Sequence, residues 1–430
     1  MTFLAFFKAN YRLLLFGVLL TFFAGFGQTF MFSLFLPAWQ SEFGLTSGTF
    51  GTFYSLVTLT SALLLPYVGG LLDRVPLKKY TFVVLAVMAA SAVLLSFAHS
   101  LVFLFVAILG VRHAGQGLMG HISQTTMARC FDAARGKALS ISSLGFPLGE
   151  AVLPVSVALL IGAIGWRSSW LLIAGFVLLL SALLIPVLLR DEPSATPQPS
   201  AAGSADAAAD TGPESRQETH PPKENPAPVP DAPRSWTRAE MLRDARFYFV
   251  NPAGLASPIL LTGFFLYQLP LAESKGWSME WMATCFIGFA AAKTALSLGV
   301  GPVIDRFSAR SVYPFMLIPM LLGFVVLLWG SHPVTALIYM MLLGATEGIS
   351  GNTKTAMFAE IYGVKHLGAI RATLVTLMVF STASAPVLFG NLLDAGLAFS
   401  GLIWGAVVFL LLSMVLALRI TPWGERVWGS

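Results

Sequence analysis

Twelve stretches of apolar sequence, each long enough to cross a lipid bilayer, constrain what this chain can fold into. A helix needs about 20 apolar residues to cross the hydrocarbon core. In lipid every backbone N–H and C=O must be satisfied within the segment, so runs of this length predict helices. They fall near residues 12–37, 48–72, 80–98, 101–128, 138–163 and 167–189, and again near 247–270, 279–304, 311–330, 333–358, 368–393 and 398–420. Between the sets lies 191–236, rich in Pro, Ala, Ser, Asp and Glu. It has too little apolar surface to fold and predicts a disordered linker. The organisation is one six-helix bundle over 1–190, the linker over 191–236, and a second bundle over 237–430. The second is led by an amphipathic stretch from Ser235 to Arg246, with Trp236, Met241 and Leu242 among charges. That stretch is expected to lie on the membrane surface.

Composition agrees. Of 430 residues, 56% are hydrophobic and 11% charged, against roughly 25% charged in soluble proteins. A solvated globular surface is excluded. Two cysteines, Cys130 and Cys285, exclude a disulfide scaffold and predict free thiols. The net charge of +5 reflects topology rather than a nucleic-acid face, because basic residues collect on the cytoplasmic side of membrane proteins. With the N-terminus inside, 21 of the 26 Lys and Arg fall in inside segments, and only Arg167 and Lys275 fall outside. Arg112, Lys293 and Lys354 lie within spans. The expectation is a multi-pass protein of the inner (plasma) membrane, with both termini and the linker cytoplasmic. The first run continues from Leu13 past Pro37 without a small-residue cleavage site, so it reads as a span rather than a leader.

The two halves repeat each other. Gly69, Asp73 and Arg74 recur 232 residues later as Gly301, Asp305 and Arg306, and Gly136 and Pro154 recur as Gly368 and Pro386. Gln116, Gly117 and Gly120 recur at 231 as Glu347, Gly348 and Gly351. The fold class predicted is an all-α membrane protein of two pseudo-symmetric six-helix bundles, a transporter architecture.

The loop after the second run reads Gly69-Gly70-Leu71-Leu72-Asp73-Arg74-Val75-Pro76-Leu77-Lys78-Lys79. It resembles the cytoplasmic signature of the major facilitator superfamily, Gly-x-Leu-x-Asp-Arg-x-Gly-Arg-Lys. Gly301-Pro302-Val303-Ile304-Asp305-Arg306 is similar to its second copy. Pro76, Ser308 and Ala309 depart from the pattern. Arg112, Gln116 and Gly117 resemble the superfamily's Arg-x-x-x-Gln-Gly motif. The stretch from Arg135 to Pro154, and Tyr362-Gly363-Val364-Lys365-His366-Leu367-Gly368, are similar to the monocarboxylate and oxalate/formate porter branch. Span 1 reads Gly25-Phe26-Gly27-Gln28 where animal monocarboxylate carriers have aspartate-glycine-tryptophan, and span 11 has no lysine. The resemblance implies the major facilitator fold and transport by alternating access. Physically, Asp73 at a helix end can accept hydrogen bonds from a neighbouring helix N-terminus. Gly69, Asp73, Arg74, Asp305 and Arg306 are therefore the expected cytoplasmic latch.

Charges at mid-bilayer are costly and mark function. Arg112, His113 and Gln116 lie in span 4, Glu150 in span 5, Lys293 in span 8 and Glu347 in span 10. Arg112 and Glu150 are expected to pair, and Arg112 and Gln116 to share a face as i, i+4. Arg112, Gln116, Lys293, Gln28 and Glu347 are the expected substrate ligands, with Arg112 or Lys293 taking a carboxylate. Glu150, Glu347 and His113 are the expected proton-coupling groups, because burial disfavours a carboxylate's charged form. Lys354 is expected to snorkel to water. Gly145 and Gly149 predict close helix approach.

No phosphate-binding loop or metal-spaced His pair occurs, which leaves no sign of an ATPase or intramembrane enzyme. No cofactor, metal or nucleic-acid partner is expected. The function expected is proton-coupled movement of a small organic anion, monocarboxylate-like, by a monomer; the alternative is a proton-driven drug or metabolite exporter.

Overall fold

The computed structural model describes residues 3–131, 134–190 and 235–421. Residues 191–234, and with them most of the expected linker, lie outside the described residues. Long helices dominate, and no strand occurs among the described residues. In the first half α1 (Phe3–Phe23) runs into a tight turn at Ala24–Gly27, then breaks at Gln28 before short helices Thr29–Ser33 and Leu36–Phe43. It is followed by α2 (Ser47–Gly69), α3 (Leu77–Ser96) and α4 (Leu101–Cys130). A helix of 44 residues, Gly145–Leu188, comes next. At 1.5 Å per residue it is about twice as long as a bilayer requires. Gly165, at φ 75° and ψ 165°, divides it into α5 (145–164, led by Arg135–Ser143) and α6 (166–188). The second half holds α7 (Ala245–Leu266), α8 (Met279–Phe307), α9 (Ala309–Trp329), α10 (Pro333–Tyr362), α11 (Leu367–Asp394) and α12 (Phe399–Leu418). Eleven helices are long and apolar enough to span; counting the Gly165 break gives the twelve predicted.

The stretch before α7 differs from expectation. Trp236, placed in the linker by composition, donates its N–H to the Tyr362 carbonyl at 2.9 Å and sets its ring edge-on to Tyr362. Thr237 and Glu240 form a reciprocal cap on the helix Arg238–Arg243, and Met241 is fully buried. The apolar side of this helix is covered by protein, against the α10–α11 end, rather than resting on lipid.

With twelve spans, α1 starts and α12 ends on one face, called here the terminal face; the other is the far face. The two cations that sequence places alone on the far face do the same work in each half. Arg167 donates to the carbonyls of Ser96 (2.6 Å) and Ala98 (2.8 Å) at the end of α3, and pairs with Glu42. Lys275 donates to Leu327 (2.8 Å) and Gly330 (3.1 Å) at the end of α9. Positions 96 and 98 correspond to 328 and 330 in the repeat. A cation at a helix C-terminus satisfies orphan carbonyls and the helix dipole.

Glycine sets helix spacing where predicted. A Cβ on Gly145 would lie 2.1 Å from the Val18 carbonyl oxygen, and one on Gly149 2.8 Å from that of Phe22, so α5 packs backbone-close on α1. Between halves, α2 meets α11 and α5 meets α8. Burial along these helices is lopsided. α2 is buried at positions from Gly48 to Ser61, then at none until Gly69. α8 is buried from Met282 to Ala290, then at none until Val300; α11 has no buried residue between Ile370 and Ala383. The halves are therefore pressed together toward the far face and separate toward the terminal face.

Ser308, after α8, adopts φ 68°, a left-handed conformation that favours glycine. Its hydroxyl accepts a long 3.4 Å bond from the Ser311 N–H and shares a 3.2 Å hydrogen bond with the Ser311 hydroxyl. Ser308→Gly is expected to stabilise the fold by about 1 kcal/mol, read as a higher melting midpoint in detergent. A lower midpoint would show that the cap outweighs the strain.

Candidate substrate and coupling site

The intramembrane charge of span 4 lies at a change in its helix. α4 is α-helical to Arg112, π-helical over His113–Met119, and α-helical again from Gly120. π-helical segments often mark functional sites. Here the segment packs on the break in α1: a Cβ on Gly27 would lie 2.6 Å from the Gln116 nitrogen and 3.0 Å from the Gly115 Cα. This contact sets the chain at Gln28 beside that at Gln116.

The partners differ from those expected. Arg112 does not pair with Glu150. It is 5% exposed, donates to the Tyr54 hydroxyl on α2 and lies 4.9 Å from the centre of that ring. Tyr54 in turn donates to Thr29 at 3.2 Å. Among the described residues no carboxylate pairs with Arg112. Gln116 is exposed where Arg112 is buried, so the two do not share an environment across the π-helical segment. His113 sits with Nδ1 against Ser61, 3.2 Å from its carbonyl, and its Nε2 is buried with no hydrogen-bond partner among the described residues.

Glu150 instead reaches the other half. Lys293 Nζ on α8 donates to Glu150 Oε1 on α5 at 2.6 Å, while Glu150 Oε2 is buried with no hydrogen-bond partner among the described residues. Both side chains remain reachable, Lys293 at 28% and Glu150 at 15% exposure. The other ion pairs described, Asp73–Arg129, Glu42–Arg167 and Asp244–Arg246, each lie within one half. Glu347 on α10 accepts a hydrogen bond from Ser257 on α7. It lies within electrostatic range of Glu150, Lys293 and Lys354. Glu150 and Lys293 meet at mid-depth on the seam, where the gap toward the terminal face begins.

Beyond them the seam is sealed by groups that hydropathy did not single out. Tyr267 is fully buried, with its hydroxyl 2.8 Å from the Ser47 carbonyl and 2.9 Å from that of Pro386. Asp394 accepts from the Gly48 N–H at 2.9 Å, a carboxylate from one half at the first turn of α2 in the other. Gln268 donates to Ser33 at 2.6 Å, and Phe30 meets Phe286. A Cβ on Gly51 would fall 2.1 Å from the Pro386 oxygen and one on Gly390 2.3 Å from that of Ser47. The signal available was small residues on facing helices, Gly48 and Gly51 on α2 and Gly390 on α11.

At the terminal face Asp73 is bound by the Arg129 side chain of α4, not by a helix N-terminus, and both are exposed. Gly69 packs against the His121 ring. Arg74, Asp305 and Arg306 are exposed, with Arg306 over the Phe307 ring. In the second half the carboxylate at a helix N-terminus is Glu360, which accepts from the N–H groups of Ala309 (2.8 Å) and Arg310 (3.0 Å).

A helical bundle of this kind, with charges buried at mid-depth on a seam between two repeats, defines a membrane transporter. The family model of the Major Facilitator Superfamily matches residues 17–292, more than half of the chain, and the chain belongs to that superfamily. No curated protein matches. The fold is similar to that of a bacterial homologue of the human lysosomal transporter Spinster in an inward-facing, unoccupied conformation (TM-score 0.66, 15% identity, 96% of this chain and 97% of that one). It is also similar to a mutant of the nucleoside transporter NupG (TM-score 0.65, 16% identity, 96% and 99%) and to NupG itself (TM-score 0.63, 15% identity, 96% and 98%).

Because Gly51 lies against backbone, Gly51→Ala is expected to force the far-face seam apart. A cysteine replacing buried Ser33, in a background lacking Cys130 and Cys285, should then react at least tenfold faster with a maleimide. An unchanged rate would mean that the seam is not held by this contact.

Proposed function

We propose that this transporter couples a proton to a small organic anion, monocarboxylate-like, and that the Lys293–Glu150 pair is the coupling joint. The observation that carries the reading is that this ion pair, 2.6 Å long at mid-depth, joins the two halves. The Lys293 ammonium has three N–H donors, and the one described bond goes to Glu150. A substrate carboxylate arriving through the open gap competes with Glu150 for the ammonium. A displaced Glu150 would be a buried, unpaired anion, which costs several kcal/mol. Taking a proton removes that cost. Substrate anion and proton together add no net charge, and the halves lose the bond that joined them. Alternating access follows as rocking about the seam, with the far-face contacts of Tyr267 and Asp394 released in the other state.

The remaining candidates take places around this exchange. Glu347, held by Ser257, is the second protonatable carboxylate, and Gln28 and Gln116 supply neutral polar groups from the first half. Arg112, behind Tyr54, ties α4 to α2 and contributes positive potential. His113 offers an unpartnered ring nitrogen to the proton path. Asp73, Arg74, Asp305 and Arg306 form the latch when the terminal face closes; here Asp73 is held by Arg129 and the other three are exposed. That face is cytoplasmic in this reading, since it carries 21 of the 26 Lys and Arg, and the membrane is the inner (plasma) membrane. The similar structures share the fold at 15–16% identity, so the anion rests on Lys293 and its neighbours.

Proteoliposomes with an imposed pH gradient and a panel of labelled organic acids, nucleosides and cationic drugs test this. An organic acid should move with a proton. Lys293→Ala should raise its KM about 10- to 100-fold, the loss of one charged hydrogen bond. Glu150→Gln should keep counterflow and lose proton-driven accumulation. Movement of a cationic drug against protons, indifferent to Lys293→Ala, would establish the exporter reading instead.

A further inference from the structure

A groove opens at the far face, on the side of the seam where α5 meets α8. It holds about 200 Å³ and is lined by Leu34, Ala38 and Ile161 of the first half and by Leu269, Glu273 and Trp277 of the second, among others. Glu273 is the charged residue of the lining, and no cation lines it. The local sequence explains the arrangement. The helix Gln268–Ser274 ends in a turn at Gly276, φ 72°. The Trp277 N–H returns to the Ala272 carbonyl at 2.9 Å and the Gly276 N–H to that of Glu273 at 3.0 Å, the bonds of a glycine-terminated helix. This folds Trp277 back beside Glu273. Its indole N–H donates to the Ser331 carbonyl at 2.7 Å, which fixes the ring as a wall.

The first half has the same turn but a different charge balance. Its helix Leu36–Phe43 ends at Gly44, φ 63°, and the Leu45 N–H returns to the Gln40 carbonyl. Glu42 there is paired with Arg167, which also serves the carbonyls of Ser96 and Ala98. In the second half the cation has no carboxylate. All three described acceptors of Lys275 Nζ are carbonyls, and Glu273 belongs to none of the described ion pairs. Nor does Glu280, in the first turn of α8. A Cβ on Gly162 would lie 4.0 Å from Glu280 Oε1, so this carboxylate stands against α5 next to Ile161. Two exposed carboxylates thus rim an apolar slot.

We propose that this groove binds a small amphipathic organic cation, an ammonium on an aromatic or short aliphatic body. The ammonium lies at Glu273, with Glu280 adding to the negative potential. The body enters between Leu34, Ala38 and Leu269, against the Trp277 wall. A carboxylate beside an aromatic ring suits an ammonium, which is drawn to both. A lipid headgroup is the other source of an ammonium. The groove, at about 200 Å³, is too small for a full acyl chain, and a lipid phosphate would be brought up to two carboxylates. The occupant is therefore a free amine. This site is separate from the Lys293–Glu150 pair and does not depend on which solute is carried.

The test uses the full-length protein in a neutral detergent and para-fluorophenethylamine, whose binding is followed by fluorine NMR. The uncharged para-fluorophenethyl alcohol is the comparison. The amine should bind about fivefold more tightly than the alcohol at low salt, and the difference should narrow as salt is added. Glu273→Gln should weaken the amine about threefold and Glu273→Gln with Glu280→Gln about tenfold, the size of partly exposed ion pairs, with the alcohol unchanged. Ala38→Phe fills the slot without touching charge and should reduce both ligands. Glu150→Gln should leave amine binding unchanged, which separates this site from the central one. The melting midpoint of each variant without ligand shows whether it folds. Equal binding of amine and alcohol, or binding of neither, overturns the proposal. So does amine binding that survives the double glutamate change or is lost in Glu150→Gln. Displacement of the amine by phosphatidylethanolamine at equal concentration would make this a headgroup site and also overturn it.

Discussion

An ammonium–carboxylate contact in a low-dielectric seam links the two halves of this protein. In water the Lys293–Glu150 pair would be worth little. Between bundles at mid-membrane, neither charge can be left alone without a cost of several kcal/mol. That asymmetry makes the contact a control point rather than a glue. It holds while both partners are charged and facing each other, and gives way when either is offered a better partner or a proton. The far-face seal is built from backbone proximity at Gly51 and Gly390, hydrogen bonds from Tyr267 and the Asp394 carboxylate on the Gly48 N–H. The gap on the terminal side has none of these, as the missing burial along α2, α8 and α11 shows.

The repeat shows how much freedom pseudo-symmetric halves retain. The third helix of each half ends against a cation, Arg167 in one and Lys275 in the other, though these residues come from different loops. At the opposite end Glu360 holds the start of α9, while the corresponding carboxylate is absent from the first half and Arg129 holds Asp73 instead. The problem at each helix end, orphan carbonyls or N–H groups, is the same in both halves. The side chain that solves it is not constrained to one position.

This explains which parts of the structure were legible. Twelve spans followed from run lengths, because a bilayer fixes helix length. The Gly145–Leu188 helix needed Gly165 to be understood as two. The mid-depth charges were also legible, since lipid makes them conspicuous. Their partners were not. Sequence spacing placed Arg112 beside Glu150 because spans 4 and 5 are consecutive, but the rotation of each helix decides which side chain faces the seam. The break at Gln28 in α1 and the π-helical segment after Arg112 in α4 change that rotation within their own helices, and neither has a hydropathy signature. Met241 and Trp236 pack on the second half because Tyr362 and its neighbours cover them, which composition alone could not show.

The central claim is that neutralising Glu150 releases the halves from each other. The most direct measurement is the distance distribution between spin labels at Thr49 on α2 and Ser400 on α12, at the far face in opposite halves. It is taken in lipid nanodiscs for the wild type and for Glu150→Gln. The account predicts that the variant gains a population at longer distance, because its neutral side chain no longer binds Lys293 as an ion pair. An identical distribution in both proteins would contradict it.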